Sequence, residues 1–299
     1  FLVEGKAIHG SLHPDRIVVG ARHERDFAVM RNVYQRAIDS NEVTYLEVTP
    51  AEAAAGKLLA NFYLFNRLAM CFDVVGRTCE RFEGIQFENI RRILTSDPRI
   101  GTWGFYDSLF AGGSCFIKDA RSLSAQLTAK KTPTVLIDET YLANQRQLQF
   151  FIDRAKEEAG FVWQDKTVAL LGLSFKRDTN DVRNSPALSI ARYAAASLCK
   201  ELRCYDPAAD TMFRRAVPPT LPFTICRDER EALQGADIII VATDWPQFAA
   251  LADLLLEPSY TERPLIMDGR RMLQHRYDEL RSTGFSIIAV GSPYITPSS

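Results

Sequence analysis

The sequence predicts an α/β protein: a short α/β stretch in front, a helical middle, and a long helix leading into a doubly wound parallel sheet. Three observations predict this. Between about 50 and 158 the apolar residues recur at helical spacing, with few strand signals. After Gly160 the pattern changes to short continuous apolar runs separated by helical stretches, the alternation that a parallel sheet covered on both faces requires. The chain has 299 residues, 46% hydrophobic and 10% aromatic, enough apolar surface for two ordinary cores and too much for wholesale disorder.

Taken in order, residues 16–20 (RIVVG) are β-branched and bounded by His-Pro-Asp and Gly, so they read as a strand. Helical spacing follows over 23–37, and a second strand over 43–48. From Pro50 to about Glu80, Leu58, Leu59, Phe62, Leu64, Phe65, Leu68, Ala69, Phe72 and Val75 leave little polar surface, predicting a helix buried on most sides. A helix over 85–95 stops before Asp97-Pro98. Segment 97–115 is irregular and glycine-bearing, and loops of that length inside a compact domain tend to be functional. Helical spacing resumes at 119–129, and Pro133 opens the longest helical pattern, which reaches Glu158 before Gly160. Strands are then expected at 166–172, 201–206, 236–243, 264–269 and 285–291, with helices near 186–199, 228–234 and 247–255. This divides the chain at 1–48, 49–159 and 160–299.

Lys plus Arg total 36 against 37 Asp plus Glu, interspersed, so the net charge of -1 gives no electrostatic reason to expect nucleic acid or anionic membrane as partner. The longest unbroken apolar runs, such as the one through Val241, are five residues, short of the roughly 20 that span a bilayer. Six cysteines form no C-x-x-C pair and four histidines are scattered, so neither a zinc site nor a disulfide scaffold is expected; reduced thiols in a cytoplasmic setting are. The opening FLVEGKAIHG has no initiator Met and no basic leader, and reads as though cut from something longer.

Three constellations carry chemistry. In Gly112-Gly113-Ser114-Cys115-Phe116-Ile117-Lys118-Asp119 the paired glycines let backbone approach a ligand. Cys115 follows at the mouth of a helix, where N–H groups and a nearby cation favour thiolate. The same residues also suit a buried structural Cys in a glycine turn. Lys57 and Asn61, four apart on the apolar helix, share a face and offer a charge and an amide to an oxyanion; alternatively Lys57 reaches back to water and Asn61 is a satisfied polar residue. Segment 172–186 lies beyond the carboxyl end of the first strand of the sheet, where doubly wound folds bind ligands. It is not G-x-G-x-x-G, but Lys176, Arg183 and the helix start at Ser185-Pro186 suit phosphate, or else form a solvated charged loop. Arg270, after Asp268-Gly269, adds a guanidinium at a similar edge.

Together these residues resemble the UDP-glucose/GDP-mannose dehydrogenase family. The matching motifs run in order: FLVEG-x-AI at 1–8, PDRIVVG at 14–20, Lys57/Asn61, DPRIG at 97–101, GGSCF-x-KD at 112–119 and Asn144-x-x-Gln147. G-x-x-FK-x-DT-x-D-x-R-x-SP at 172–186, YDP at 205–207, ATDW at 242–245 and DGR at 268–270 complete them. The resemblance implies an NAD-binding Rossmann domain in front, mostly absent here, then a helical dimerising centre and a nucleotide-sugar domain. It implies Cys115 as nucleophile, Lys57 and Asn61 as oxyanion partners, and Asp119 positioning water. Phe175, Lys176 and Arg270 would contact the nucleotide-sugar, with Phe1, Leu2, Val3, Glu4, Tyr106, Ser108 and Gly112 lining it. Arg183, Lys118 and Cys115 would meet NAD, and Arg99 would reach the neighbouring subunit's substrate. The activity implied is four-electron oxidation of a nucleotide-sugar alcohol to the uronate by a homodimer or higher oligomer, with a UDP-sugar favoured and no metal. The loop before GGSC departs from the usual glycine-rich pattern, reading Ser108-Leu109-Phe110-Ala111, and Phe72 stands where Asn is usual. The alternatives are a truncated module that binds nucleotide-sugar without turnover, a dehydrogenase of GDP-mannose or UDP-N-acetylmannosamine, and an ordinary two-electron hydroxy-acid dehydrogenase.

Overall fold

A computed structural model of the chain describes residues 7–40, 42–105, 108–217 and 222–298. Phe1, Leu2, Val3, Glu4 and Tyr106 lie outside the described residues. In front, α1 (Ala7–Leu12) precedes β1 (Arg16–Gly20), which pairs in parallel with β2 (Thr44–Val48); α2 (Glu24–Val33) and α3 (Gln35–Asp39) cross between them, broken at Tyr34.

The helical middle opens with α4 (Pro50–Ala69), whose start is set by sequence. Thr49 caps the Glu52 amide, the Glu52 carboxylate accepts from the Thr49 N–H, and Pro50 stands at the first helical position. The helix does not stay α. Residues Met70–Gly76 wind as a π-helix before α5 (Arg77–Arg81) resumes the α form. The expectation of burial on most sides is corrected here: Phe65, Leu68, Ala69, Cys71, Phe72 and Val75 are buried, but Leu59, Tyr63, Met70 and Val74 form an exposed stripe. The inward face is shared with polar groups that need partners, so some apolar residues turn outward. By length and composition alone the run Pro50–Arg81 is also apolar enough to cross a bilayer, with 39% of its most apolar stretch buried. Counting unbroken runs misses it because Lys57, Asn61 and Arg67 interrupt the pattern.

Next come α6 (Phe87–Thr95), α7 (Cys115–Ala129) and α8 (Val135–Glu157). Helix α7 begins at Cys115, four residues before the periodicity suggests. Helices α4, α7 and α8 pack around Phe65, Leu68, Phe72, Ala120 and Ile137.

The sheet has six parallel strands in the order β5-β4-β3-β6-β7-β8: β3 (Thr167–Leu171), β4 (Glu201–Tyr205), β5 (Phe223–Ile225), β6 (Ile238–Val241), β7 (Leu265–Asp268) and β8 (Ile287–Ala289). Its helices are α9 (Pro186–Ala196), α10 (Asp210–Ala216), α11 (Glu229–Leu233), α12 (Leu251–Leu255) and α13 (Tyr277–Ser282). Strands β3, β6 and β7 are buried throughout, as continuous apolar runs covered on both faces should be. One face packs on Leu148, Phe151 and Ile152 of α8, the other on Phe248, Leu251, Leu255 and Leu280.

Helix α8 is tied to the sheet by buried charge. Arg154, 1% exposed, donates to the Ala289 and Ser292 carbonyls (2.8 and 2.9 Å) and pairs with Glu80 (3.4 Å) and Glu158 (2.9 Å). Glu80 in turn pairs with Arg77 at 2.8 Å and accepts the Gly291 N–H at 2.9 Å. Helix α5, the long helix and the segment after the last strand therefore meet at one desolvated cluster.

Candidate active site

Cys115 starts α7 and is exposed, whereas the other five cysteines are buried. Burial pushes the Cys199 thiol up to about 11 and raises those of Cys204 and Cys226 as well. One turn along α7, on the same face as Cys115, the carboxylate of Asp119 is buried. Its Oδ2 accepts from Asn61 Nδ2 at 2.5 Å, its Oδ1 accepts from Lys118, and Asn61 Oδ1 accepts from Lys57 Nζ at 2.7 Å. The reading in which Lys57 merely reaches for water is thus displaced by a Lys57–Asn61–Asp119–Lys118 chain. Two ammonium groups stand along the chain with one carboxylate, and Asn61 keeps one N–H uncommitted. Asp119 holds the ammonium of Lys118 above its ordinary value, although that side chain is 68% exposed.

The paired glycines let the Cys115 loop lie against segment 172–186. Gly113 has φ +78°, and a Cβ there would stand 3.1 Å from the Phe175 ring; one on Gly112 would stand 2.9 Å from the Asn184 carbonyl oxygen. Asn184 Nδ2 donates to the Gly113 carbonyl at 3.2 Å. Lys176 Nζ lies 5.5 Å from the centre of the Phe175 ring. Asp181 fixes the remainder of the segment: its backbone carbonyl accepts the Phe175 N–H at 3.0 Å, and its carboxylate accepts the Arg183 N–H at 2.8 Å and the guanidinium at 2.7 Å. That guanidinium holds the Asp181 carboxyl below its usual range.

Ser108, Leu109 and Arg270 join the same loop to the sheet. Arg270 Nη1 donates to Ser108 Oγ at 2.9 Å and Nη2 lies 3.1 Å from Asp244, while Leu109 is fully buried over Gly269, where a Cβ would fall 2.6 Å from its side chain. Arg99 is not drawn in. It is 88% exposed and pairs with Asp97 at 2.6 Å, on a turn that Arg67 pins through the Ile100 carbonyl at 2.6 Å.

Asn144, Gln147 and Asp206, which stand in the motifs quoted for the family but are given no role by sequence reasoning, hold these loops. Asn144 grips Ala111 through both N–H and carbonyl (2.7 and 3.3 Å), and Gln147 donates to the Ser108 carbonyl at 3.0 Å. Asp206 accepts from Leu173 N, Ser174 N, Ser174 Oγ and Trp245 Nε1 on one oxygen and from Ala208 N and Ala209 N on the other. The signal was present as a carboxylate directly after a strand in YDP, and as Asn144-x-x-Gln147 on one helix face.

The central domain of the UDP-glucose/GDP-mannose dehydrogenase family matches residues 51–146, and the UDP binding domain of that family matches 169–275. Bacillus subtilis UDP-glucose 6-dehydrogenase YwqF is 30% identical over 303 aligned residues, covering 100% of this chain and 65% of its own length. The Pseudomonas aeruginosa UDP-glucose 6-dehydrogenase is 28% identical over 296, covering 98% and 64%. The chain therefore spans just under two thirds of these relatives. A UDP-glucose dehydrogenase structure from Pyrobaculum islandicum superposes with a TM-score of 0.80 at 26% identity, covering 92% of this chain and 60% of that one. With both domain matches in order over a helical centre and a six-stranded parallel sheet, the chain belongs to the UDP-glucose/GDP-mannose dehydrogenase family.

Proposed function

We propose that this chain carries the nucleophile and the nucleotide-sugar-binding part of an NAD-dependent nucleotide-sugar 6-dehydrogenase acting on UDP-glucose, divided into segments 1–48, 49–159 and 160–299. The observation that carries the reading is an exposed Cys115 at a helix start, one turn from the Asp119–Asn61–Lys57 chain and seated against the Phe175–Asn184 loop.

The residues present fit the reactive end of a dinucleotide rather than all of it. Arg183 exposes most of its guanidinium beside the Cys115 loop, and Lys118 stands next to Asp119. Asp206, at the strand end where dinucleotide-binding sheets keep an acid for ribose, is already filled by the chain's own donors. When bound, NAD supplies the hydride acceptor for both oxidations, alcohol to aldehyde and hemithioacetal to thioester. Everything else falls to side chains. Cys115 Sγ attacks the aldehyde carbon, a C–S bond forms, and the carbonyl electron pair moves to oxygen. Lys57 and Asn61 stabilise that oxyanion, each donor contributing about 3–4 kcal/mol when well placed. Once the thioester has formed, water adds to its carbonyl, the thiolate leaves, and the uronate is released. Phe175, Lys176 and Arg270 hold the nucleotide end.

The exposed stripe Leu59, Tyr63, Met70 and Val74 supports a symmetric dimer through α4, with Arg99 directed to the partner's site. A second reading is a module that binds nucleotide-sugar without turning it over, favoured by Asp206, a strand-end acid that is already occupied by the chain's own donors. NADH formed per sugar across UDP-glucose, GDP-mannose and UDP-N-acetylmannosamine decides between them. One NADH for each of the two oxidations of UDP-glucose supports the enzyme; UDP binding without NADH assigns the module.

A further inference from the structure

Asn184 stands where the two halves of the site touch. It is one of the described non-glycine residues with positive φ, at +51°, a conformation that Asn tolerates but that is strained for most side chains. Its amide donates to the Gly113 carbonyl, and its own carbonyl oxygen occupies the space a Cβ on Gly112 would need. It is also bracketed by Arg183, fixed on Asp181, and by Ser185, whose hydroxyl caps α9 through the Leu188 N–H at 3.3 Å. Both neighbours are thus held, so the Asn184 side chain acts from a rigid base.

Holding the Gly113 carbonyl fixes the plane of the Gly113–Ser114 peptide. That plane aims the Ser114 N–H and sets the entry of the chain into α7, where Ser114 makes no side-chain cap of its own. We propose that Asn184 is a positioning residue: through the Gly113 carbonyl it orients the first turn of α7 and so the reactivity of Cys115. This deepens the reading of Cys115 as nucleophile and rests on it.

Two substitutions separate this role from simple backbone strain. Asn184→Gly relieves the positive φ, and Asn184→Asp keeps the shape; both lose the donor. If the residue served only the backbone, both variants would leave Cys115 unchanged. The readouts are the rate of Cys115 alkylation by iodoacetamide, followed by mass spectrometry, and calorimetric binding of UDP. The expected result is alkylation at least threefold slower in both variants, with UDP affinity within twofold of the parent and the melting temperature little moved. An equal or faster rate in Asn184→Gly overturns the proposal, and slowing confined to Asn184→Asp assigns the effect to the new carboxylate and overturns it too. If the parent binds no UDP while the rates still fall, the substrate reading fails and the positioning role stands. Bound UDP with unchanged rates gives the reverse.

Discussion

Cys115 differs from the other five cysteines first in access. Only it is exposed, and burial raises the thiols of Cys199, Cys204 and Cys226. Iodoacetamide at mildly alkaline pH is expected to modify Cys115 before any other cysteine; earlier labelling of another site would remove the basis for its role. On the proposed function, Cys115→Ser should leave UDP-sugar binding near parental, since a hydroxyl is close in size to a thiol, while uronate formation falls by at least a hundredfold because an unactivated hydroxyl is a poor nucleophile. The Asp181–Arg183 pair makes a pH prediction. Arg183 lowers the folded-state value of Asp181, so the stability it contributes is fully present above the ordinary carboxylate value of about 3.9 and is lost as pH falls through the lowered value. The difference in melting temperature between parent and Asp181→Asn should therefore shrink as pH is taken from 5 towards 2.5; a constant gap would count against the pair. Single residues were legible where their chemistry is local. Lys57, Asn61 and Cys115 can be picked out by spacing and Asp119 only by the family resemblance, whereas Asn184, Gln147 and Asp206 act on backbone groups far away in sequence.

Among elements, the buried strands are legible because continuous apolar runs bounded by glycine and polar turns have few other readings. The edge strand β5 is not: it is three residues long and follows Pro218-Pro219 and Pro222. Helices α1, α10 and α13, of six or seven residues, are not among the expected elements, whereas α11 and α12, of five residues each, lie within the stretches expected to be helical. The π-helix Met70–Gly76 is hidden for another reason. Each of its residues turns the axis by less than the ~100° of an α-helix, so a seven-residue stretch swings later side chains by on the order of a third of a turn. That swing brings Arg77 and Glu80 to Arg154. The turn after β3 depends on Gly172, at φ +88°, where a Cβ would stand 2.5 Å from Thr243 Cβ and 2.7 Å from its backbone nitrogen. Gly172→Ala should therefore destabilise by about 3 kcal/mol or more in chemical denaturation. A loss below about 1 kcal/mol would mean that the Thr243 backbone moves aside.

At the scale of the whole molecule, the helical middle and the sheet are joined at the Arg154–Glu80 cluster, at Leu109 over Gly269, and at Asn184 on Gly113. Glu80→Ala leaves Arg77 and Arg154 without their shared carboxylate in a desolvated site, and should cost about 3–5 kcal/mol. It should also split thermal unfolding into two calorimetric transitions; a single transition at parental temperature would show that the cluster does not couple the halves. None of these junctions is visible from local pattern, since Arg154 reaches a carbonyl 135 residues away. The peg at Leu109 has a consequence in time. It packs over Gly269 and belongs to a core that also holds Met267 and Val290, all made after it on the ribosome. At roughly 5–20 residues per second, Cys115 is translated on the order of ten seconds or more before Gly269 and the last strand exist to seat its loop. During synthesis Cys115 therefore sits on an unseated loop, which finds its place only when the later strands of the sheet arrive.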